Sequence, residues 1–425
     1  MTISPTGVSS KINLKLNSLC KKLEIITLFL MFLGFFDVNL FALDAPFKNA
    51  SYGMVSFLIL LRWKRCIYVA TKDIPLLLLF GTVMFSYFWS AFPEDTLKVS
   101  KSFVRETLFG VYLAANYNHK DLVRLFLWMF GLATILNWLF CGFAIAIGQS
   151  SLAISQTNSE DSWTGFLLHK QYLGRMMMHA AILFLLSVLN DKKFHWFKWT
   201  GLSLSVSLLL LSKSKSSWIG FLLSLTLLPI LSFSGWHYKL RTIMYVIAVL
   251  IVGSIAVLVF GNFETIVVDI LRKPPDFNGR FIIWQLAIES GLKQLWLGYG
   301  YGAFWRTSEG ESIVNSTWAA LEHDNAKEFH AHNGFIDLFL QLGVVGLLLF
   351  MLSFVSTLIR VINLIHLTRT IESFWMLEFM VLAFVLQISE TLTLISHSTH
   401  CAIYVAIVYS SILWKNQIRK EGVTI

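Results

Sequence analysis

Charge is scarce in this 425-residue chain: Asp, Glu, Lys and Arg together make up 14% of it, against roughly 25% in soluble proteins. With 56% of residues hydrophobic and 15% aromatic, the few polar side chains cannot cover a water-facing globule, and a soluble enzyme is excluded. The mean hydropathy of +0.65 points the same way. Cysteine is sparse too. Cys20, Cys66, Cys141 and Cys401 are far apart and form no CxxC pair, which argues against a zinc site or a disulfide framework. No Pro-, Gly- or Ser-rich linker and no internal repeat divides the chain, so 1–425 reads as a single membrane domain. The first apolar run lacks a small-x-small exit, which favours a membrane anchor over a cleaved signal peptide.

What the chain has in abundance is apolar runs. They predict an all-α polytopic membrane protein of about twelve spans. In order these lie near Ile25–Leu43, Ala50–Leu61, Ile74–Ala91, Phe103–Ala115, Leu122–Ile147, Leu173–Leu189, Trp199–Leu211, Trp218–Phe233, Ile243–Phe260, Phe335–Ile359, Phe374–Ile388 and Ala402–Trp414. The second is short, and the fourth carries Arg105 and Glu106, which are expected to find electrostatic partners inside the bundle. The net charge of +9 could suggest a nucleic-acid partner, but the basic residues sit between apolar runs, and 20 of the 34 fall on one side when the spans alternate. That positive-inside pattern places both termini in the cytoplasm and turns 261–333, between spans nine and ten, into a long outer loop. Lys213 and Lys215 defy the pattern, since they occupy a short outer turn.

Four stretches carry candidate chemistry. In Gly279-Arg280-Phe281-Ile282-Ile283-Trp284, Arg280 and Trp284 share one helix face, and an Arg in a first helical turn can join free backbone N–H groups in holding an anion. The same helix, with Trp284, Trp296 and Trp305, also suits an interfacial element resting on lipid headgroups. In His330-Ala331-His332-Asn333, where the loop re-enters the membrane, a neutral imidazole can take a proton from an attacking hydroxyl. His332 and Asn333 also suit a helix cap. His323, Asp324 and Glu328 nearby are ligand types for a metal, but the spacing matches no helical ligand pair. In Ser212-Lys213-Ser214-Lys215-Ser216-Ser217, two ammonium groups beside hydroxyls can cradle a diphosphate without Mg²⁺, or meet lipid headgroups. In His169-Lys170-Gln171-Tyr172-Leu173-Gly174-Arg175, at the entrance of the sixth span, His169, Lys170 and Arg175 are candidate substrate contacts, with His179 one turn beyond Arg175.

Taken in order, these stretches resemble the O-antigen ligase and O-antigen polymerase superfamily of bacterial membrane glycosyltransferases. Ser212 to Lys215 matches that family's turn with Lys in place of Arg, Arg280 and Trp284 match its loop helix, and His332-Asn333 matches its re-entry; the resemblance covers roughly residues 165–350. The stretches LGYGYGAFW, AHNGFIDLFLQLGVVG and HKQYLG are most similar to the exopolysaccharide polymerase branch.

The resemblance implies a GT-C-type, metal-independent, inverting transferase in the bacterial inner membrane. Such an enzyme moves a glycan from a polyprenyl diphosphate carrier to an acceptor hydroxyl at the outer face and uses no nucleotide cofactor. It also implies roles: Arg280 and Lys215 hold the diphosphate, His332 receives the proton, and Lys213, Ser214, Trp284, His330, Asn333, His169, Lys170 and Arg175 line the substrate. The partners are the glycan donor, the acceptor, the bilayer and other polysaccharide assembly proteins. Two other activities fit the sequence: a ligase passing glycan to lipid A core, and a secondary transporter or lipid-linked glycan flippase, a class that usually binds near the bilayer midplane and carries duplicated halves.

Overall fold

The computed structural model describes residues 24–31, 44–157, 160–167, 169–190, 194–233, 280–317, 320, 329–389 and 398–421. After a helical stretch at 24–31 the chain forms α1 (Asp44–Leu61), α2 (Trp63–Ala70), α3 (Ile74–Phe85), α4 (Pro93–Asn116) and α5 (His119–Ala146). A hairpin of β1 (Ile154–Thr157) and β2 (Glu160–Trp163) follows, then α6 (Lys170–Asn190), α7 (His195–Leu211) and α8 (Lys215–Phe233). The remaining elements are α9 (Arg280–Lys293), α10 (Ser308–Asn315), α11 (Gly334–Thr368), α12 (Ile371–Ser389) and α13 (Thr399–Lys420).

Four of these helices are long and apolar enough to cross a membrane, namely α5, α6, α11 and residues 371–388 of α12. α2 and the stretch 74–88, bent by 102°, make a fifth if taken as one broken span. The chain is thus a helical, multi-pass membrane protein. Helices fall where the other described apolar runs predict spans. Ile243–Phe260 and residues 32–43 of the first run lie outside the described residues.

The all-α expectation needs one correction, because the antiparallel hairpin pairs Ile154 with Trp163 and Ser155 with Ser162. The segment is too short and too polar to span. It closes instead on the end of α5, where the rings of Trp138 and Trp163 stand edge to face at 5.6 Å and the Phe166 N–H donates to Asn137 Oδ1.

The weak fourth span is the middle of the 24-residue α4, and its charges are paired internally. Arg105 pairs with Glu106 at 2.7 Å, donates to Ser51 Oγ at 2.7 Å, and lies over the ring of Tyr52. Buried ionisable groups survive in a membrane bundle only with such partners. Gly110 then lets α13 pack against α4, because a Cβ there would stand 2.6 Å from the Ala402 carbonyl oxygen. At one end of the bundle Arg360 of α11 reaches Asp73, which caps α3, at 3.1 Å and Ser411 of α13 at 3.3 Å. Lys72 and Lys415 flank this end, so it is hereafter the basic end.

α11 is broken at Gly343, whose φ of 63° and ψ of −164° are not helical. A break leaves orphan carbonyls on one side and orphan amides on the other, which a membrane interior cannot hydrate. The segment after α9 fills both sets. Tyr299 N donates to Leu340 O at 2.9 Å and Gly300 N to Gln341 O at 3.0 Å, while Val344 N donates to Leu295 O at 2.8 Å and Val345 N to Trp296 O at 3.2 Å. Gly298 (φ 64°) and Gly343 permit this docking, since a Cβ on either would fall within 2.7 Å of the other strand's backbone. The same segment is pinned laterally: Trp89 Nε1 donates to Leu297 O, Ala91 N to Tyr299 O, and Tyr301 N to Ser86 Oγ.

Gly343→Ala is therefore expected to lower stability by about 3 kcal/mol or more, combining backbone strain with loss of the docked strand. Thermal melts of the purified protein in detergent check this, and a melting temperature equal to wild type would refute the docking account.

Candidate functional site

The half of α11 before the break, 334–342, lies beside α9. Ile283, Ala287, Ser290 and Gly291 form the buried face of α9, at the spacing of one helical stripe. Gly291 sits under the ring of Phe339, where a Cβ would come within 2.4 Å of a ring carbon. Four residues apart on α9, Arg280 and Trp284 thus approach the start of α11 from the side. The Trp284 indole donates to Ala331 O at 2.7 Å. Ala331 N in turn donates to the carboxylate of Asp337 at 3.1 and 3.3 Å, and Trp305 Nε1 donates to the same carboxylate at 2.9 Å.

This clamp fixes His330-Ala331-His332 from both sides. The two imidazoles meet edge to face at 4.3 Å, and the ring of Phe329, itself packed on Trp305 at 4.9 Å, lies about equally far from both. His332 holds a left-handed backbone with φ of 51°. A non-glycine residue there costs roughly 1–2 kcal/mol, a strain that concentrates at functional positions. Asn333 caps α11, its Oδ1 accepting from Phe335 N at 3.0 Å and Ile336 N at 3.2 Å. Asn333, expected to contact substrate, thus uses its side-chain oxygen for the cap, and Trp284 and Trp305 hold protein groups instead of lipid headgroups. Trp296, at 67% exposure, suits the aromatic belt. Tyr299 supports the platform by donating to Ser290 O at 2.9 Å, and burial pushes its phenol above the usual range.

The second cluster surrounds the turn 212–217. Lys213 occupies the left-handed position just after α7, with φ of 50°, where glycine is the common choice. The serines face inward: Ser214 and Ser217 are 2.9 Å apart, and Ser212 Oγ donates to Leu209 O at 2.7 Å. Gly174 of α6 makes room for them, since a Cβ there would lie 2.5 Å from Ser214 Cβ. Ser214, expected to bind substrate, is a buried packing residue; Lys213 is half-buried and Lys215 exposed. Arg175, beside Gly174, is buried and lies 4.9 Å from the centroid of the Tyr172 ring. His169 Nδ1 accepts from Gln171 N at the start of α6, and Lys170 opens that helix.

The two clusters share one end of the bundle, opposite the basic end. Phe335, three residues after His332, packs on Phe384 of α12 at 5.2 Å, and Leu382 of α12 packs where Gly220 of α8 lacks a side chain, five residues after Lys215. The metal-ligand candidates His323, Asp324 and Glu328 lie outside the described residues. Asp337 and Trp305 are the residues that sequence reasoning missed. A signal existed, since Asp337 stands one helical turn after the Asn333 cap and Trp305 ends the glycine-rich run, but their pairing across 32 positions is not encoded locally.

Residues 200–351 match the O-antigen ligase family. That window contains the 212–217 turn, Arg280, Trp284, Trp305, the His330–His332 strand and Asp337. Over that segment, about a third of the chain, the protein is similar to the O-antigen ligase family. A separate comparison finds 27% identity over 110 residues with the exopolysaccharide production protein ExoQ of Rhizobium meliloti (strain 1021), covering 26% of this chain and 25% of that one. The likeness to ExoQ thus spans about a quarter of either protein. Within the O-antigen ligase match, both clusters belong to the matched segment, while Arg175, His169 and Lys170 lie before it.

Proposed function

We propose that the protein is a membrane glycosyltransferase that polymerises oligosaccharide units carried on polyprenyl diphosphate, acting at the outer face of the bacterial inner membrane, with both termini in the cytoplasm. The observation that carries the reading is that one O-antigen ligase window encloses a strained histidine strand, a loop arginine and a lysine turn, and that these sit at the same end of the bundle. Arg280, Lys215 and Lys213 hold the departing diphosphate, and Trp284, His330, His169, Lys170 and Arg175 border the substrate. The acceptor hydroxyl gives its proton to His332 as its oxygen bonds to the anomeric carbon. The bond from that carbon to the carrier diphosphate breaks with its electron pair, and configuration inverts. The activated donor supplies the energy, so neither ATP nor a metal takes part.

Incubating purified protein with a defined polyprenyl diphosphate oligosaccharide and following product size tests this. A ladder of longer glycans supports polymerisation, and unchanged substrate overturns it. The family description favours a second reading, ligation of finished glycan to lipid A core, whereas the ExoQ likeness favours polymerisation. Gene deletion separates them: loss of a polymerase leaves single units, and loss of a ligase leaves full-length chains on the carrier.

Two further outcomes are expected. Lys215→Ala should lower the rate of transfer by about tenfold or more, while Lys215→Arg should retain most of it, because the exposed position accommodates a forked guanidinium that binds phosphate at least as well. Equal activity of the Ala variant would remove Lys215 from the site. EDTA should leave the rate unchanged, and a loss reversed by Mg²⁺ or Mn²⁺ would bring back a metal-dependent reaction.

A further inference from the structure

Deeper in the bundle than either cluster lies a polar group that the proposed transfer does not use. His179 of α6 and His400 of α13 are 3% and 7% exposed, and their rings stand 5.1 Å apart, hemmed by Phe379 and Phe130. The Nε2 atoms of both rings and Oγ1 of neighbouring Thr399 are buried and make no hydrogen bond among the described residues. An unmade bond of this kind costs about 1–3 kcal/mol, so three together ask for an occupant.

Depth follows from helix rise. His400 is eleven residues from Ser411, which contacts Arg360 at the basic end, and His179 is eleven residues from Asn190, the last residue of α6. At 1.5 Å per residue both imidazoles stand about 16 Å in, near the middle of a hydrocarbon layer of ~30 Å. α13 therefore begins inside the bundle, with Ser398 capping Cys401 N and the positive end of a 22-residue helix pointing at the histidines. Arg175, one turn from His179 on the side away from the basic end, is a charged side chain that acts on both rings.

Arg175 and the start of α13 are positive, and the imidazoles and the Thr399 hydroxyl can each offer a donor, which disfavours a cation and favours an oxyanion. We propose that Arg175, His179 and His400 form an inner phosphate-binding subsite beneath the lysine turn, which takes one phosphate of the carrier diphosphate while the Arg280 and Lys215 groups hold the outer one. The identity of the carrier rests on the transferase reading; the phosphate chemistry does not.

The test uses the full chain in nanodiscs and measures binding of inorganic diphosphate and of polyprenyl diphosphate, together with the ligand-free melting temperature. His179→Leu and His400→Leu should each weaken binding about tenfold or more. Their ligand-free melting temperature should hold or rise, because an apolar side chain removes an unsatisfied polar atom. His400→Gln, which keeps an N–H donor, should bind within about threefold of wild type. Weakening of both ligands assigns the site to carrier and free phosphate alike, and weakening of inorganic diphosphate alone assigns it to the free anion. Leu variants that bind both ligands as tightly as wild type overturn the proposal, as does a lowered melting temperature in Leu and Gln variants alike with unchanged affinity. Binding needs no turnover, so failure of glycan transfer by the wild-type protein would sink the transferase reading and leave this result standing.

Discussion

His332→Gly should abolish glycan transfer, with a loss of about 10²–10⁴-fold, while leaving the fold almost as stable as wild type. The reason lies in the backbone. At φ of 51° histidine pays a strain that glycine does not. Relief of roughly 1–2 kcal/mol is offset by the extra entropy glycine loses on folding, about 0.5–1 kcal/mol, and by lost ring contact with Phe329 and His330. The net change is near zero. His332→Ala keeps the strain and loses the contacts, so it should be less stable by about 1 kcal/mol yet equally inactive. Activity that follows stability across the pair would mean the imidazole serves packing, and a Gly variant with substantial activity would remove the proton-accepting role. His330→Ala is the control, since its ring touches His332 at 4.3 Å but stands outside the left-handed position.

Hydropathy made most of the helices legible, because a bilayer forces backbone polar groups into helices and apolar side chains outward. α5, α6, α11 and α12 stand where long apolar runs predict them. It was less informative where tertiary pairing overrides composition. α4 carries Arg105 and Glu106 in its middle, and only the Ser51 and Tyr52 contacts from α1 explain how they lie buried. The hairpin at Ile154–Trp163 has no hydropathy signal at all, since four-residue strands cannot register against apolar runs of twenty. The glycine-rich run was visible as a motif, but its function was not: Gly298 and Gly343 make sense only once a side chain on Gly298 is seen to strike the backbone of Leu340 and Gln341, and one on Gly343 that of Trp296 and Leu297. Likewise the proposed site residues with chemistry in their side chains, Arg280, His332 and Lys215, stand out by type and spacing, whereas Asp337, itself held by Trp305, acts by holding Ala331 N, and a backbone amide leaves no mark in a sequence.

Arg280→Ala should reduce transfer by about 10²–10³-fold, the size of effect seen when one fixed donor to a developing anion is removed. The side chain stands in the first turn of α9, one turn before Trp284, whose indole is bonded to the backbone next to His332. An arginine there gains nothing from the helix dipole, which favours anions at that end, and with the free backbone N–H groups it is placed to hold one. Two consequences follow. The Ala variant should remain folded and membrane-inserted, because the buried face of α9, Ile283, Ala287, Ser290 and Gly291, is untouched. Its residual activity should not recover on raising donor concentration, because a contact that strengthens as charge moves onto the leaving diphosphate lowers kcat and kcat/KM together. Arg280→Lys retains the charge but loses the forked geometry and should fall between the two. A defect confined to KM would instead mark Arg280 as a ground-state contact with the donor, and normal activity in the Ala variant would detach α9 from diphosphate binding altogether.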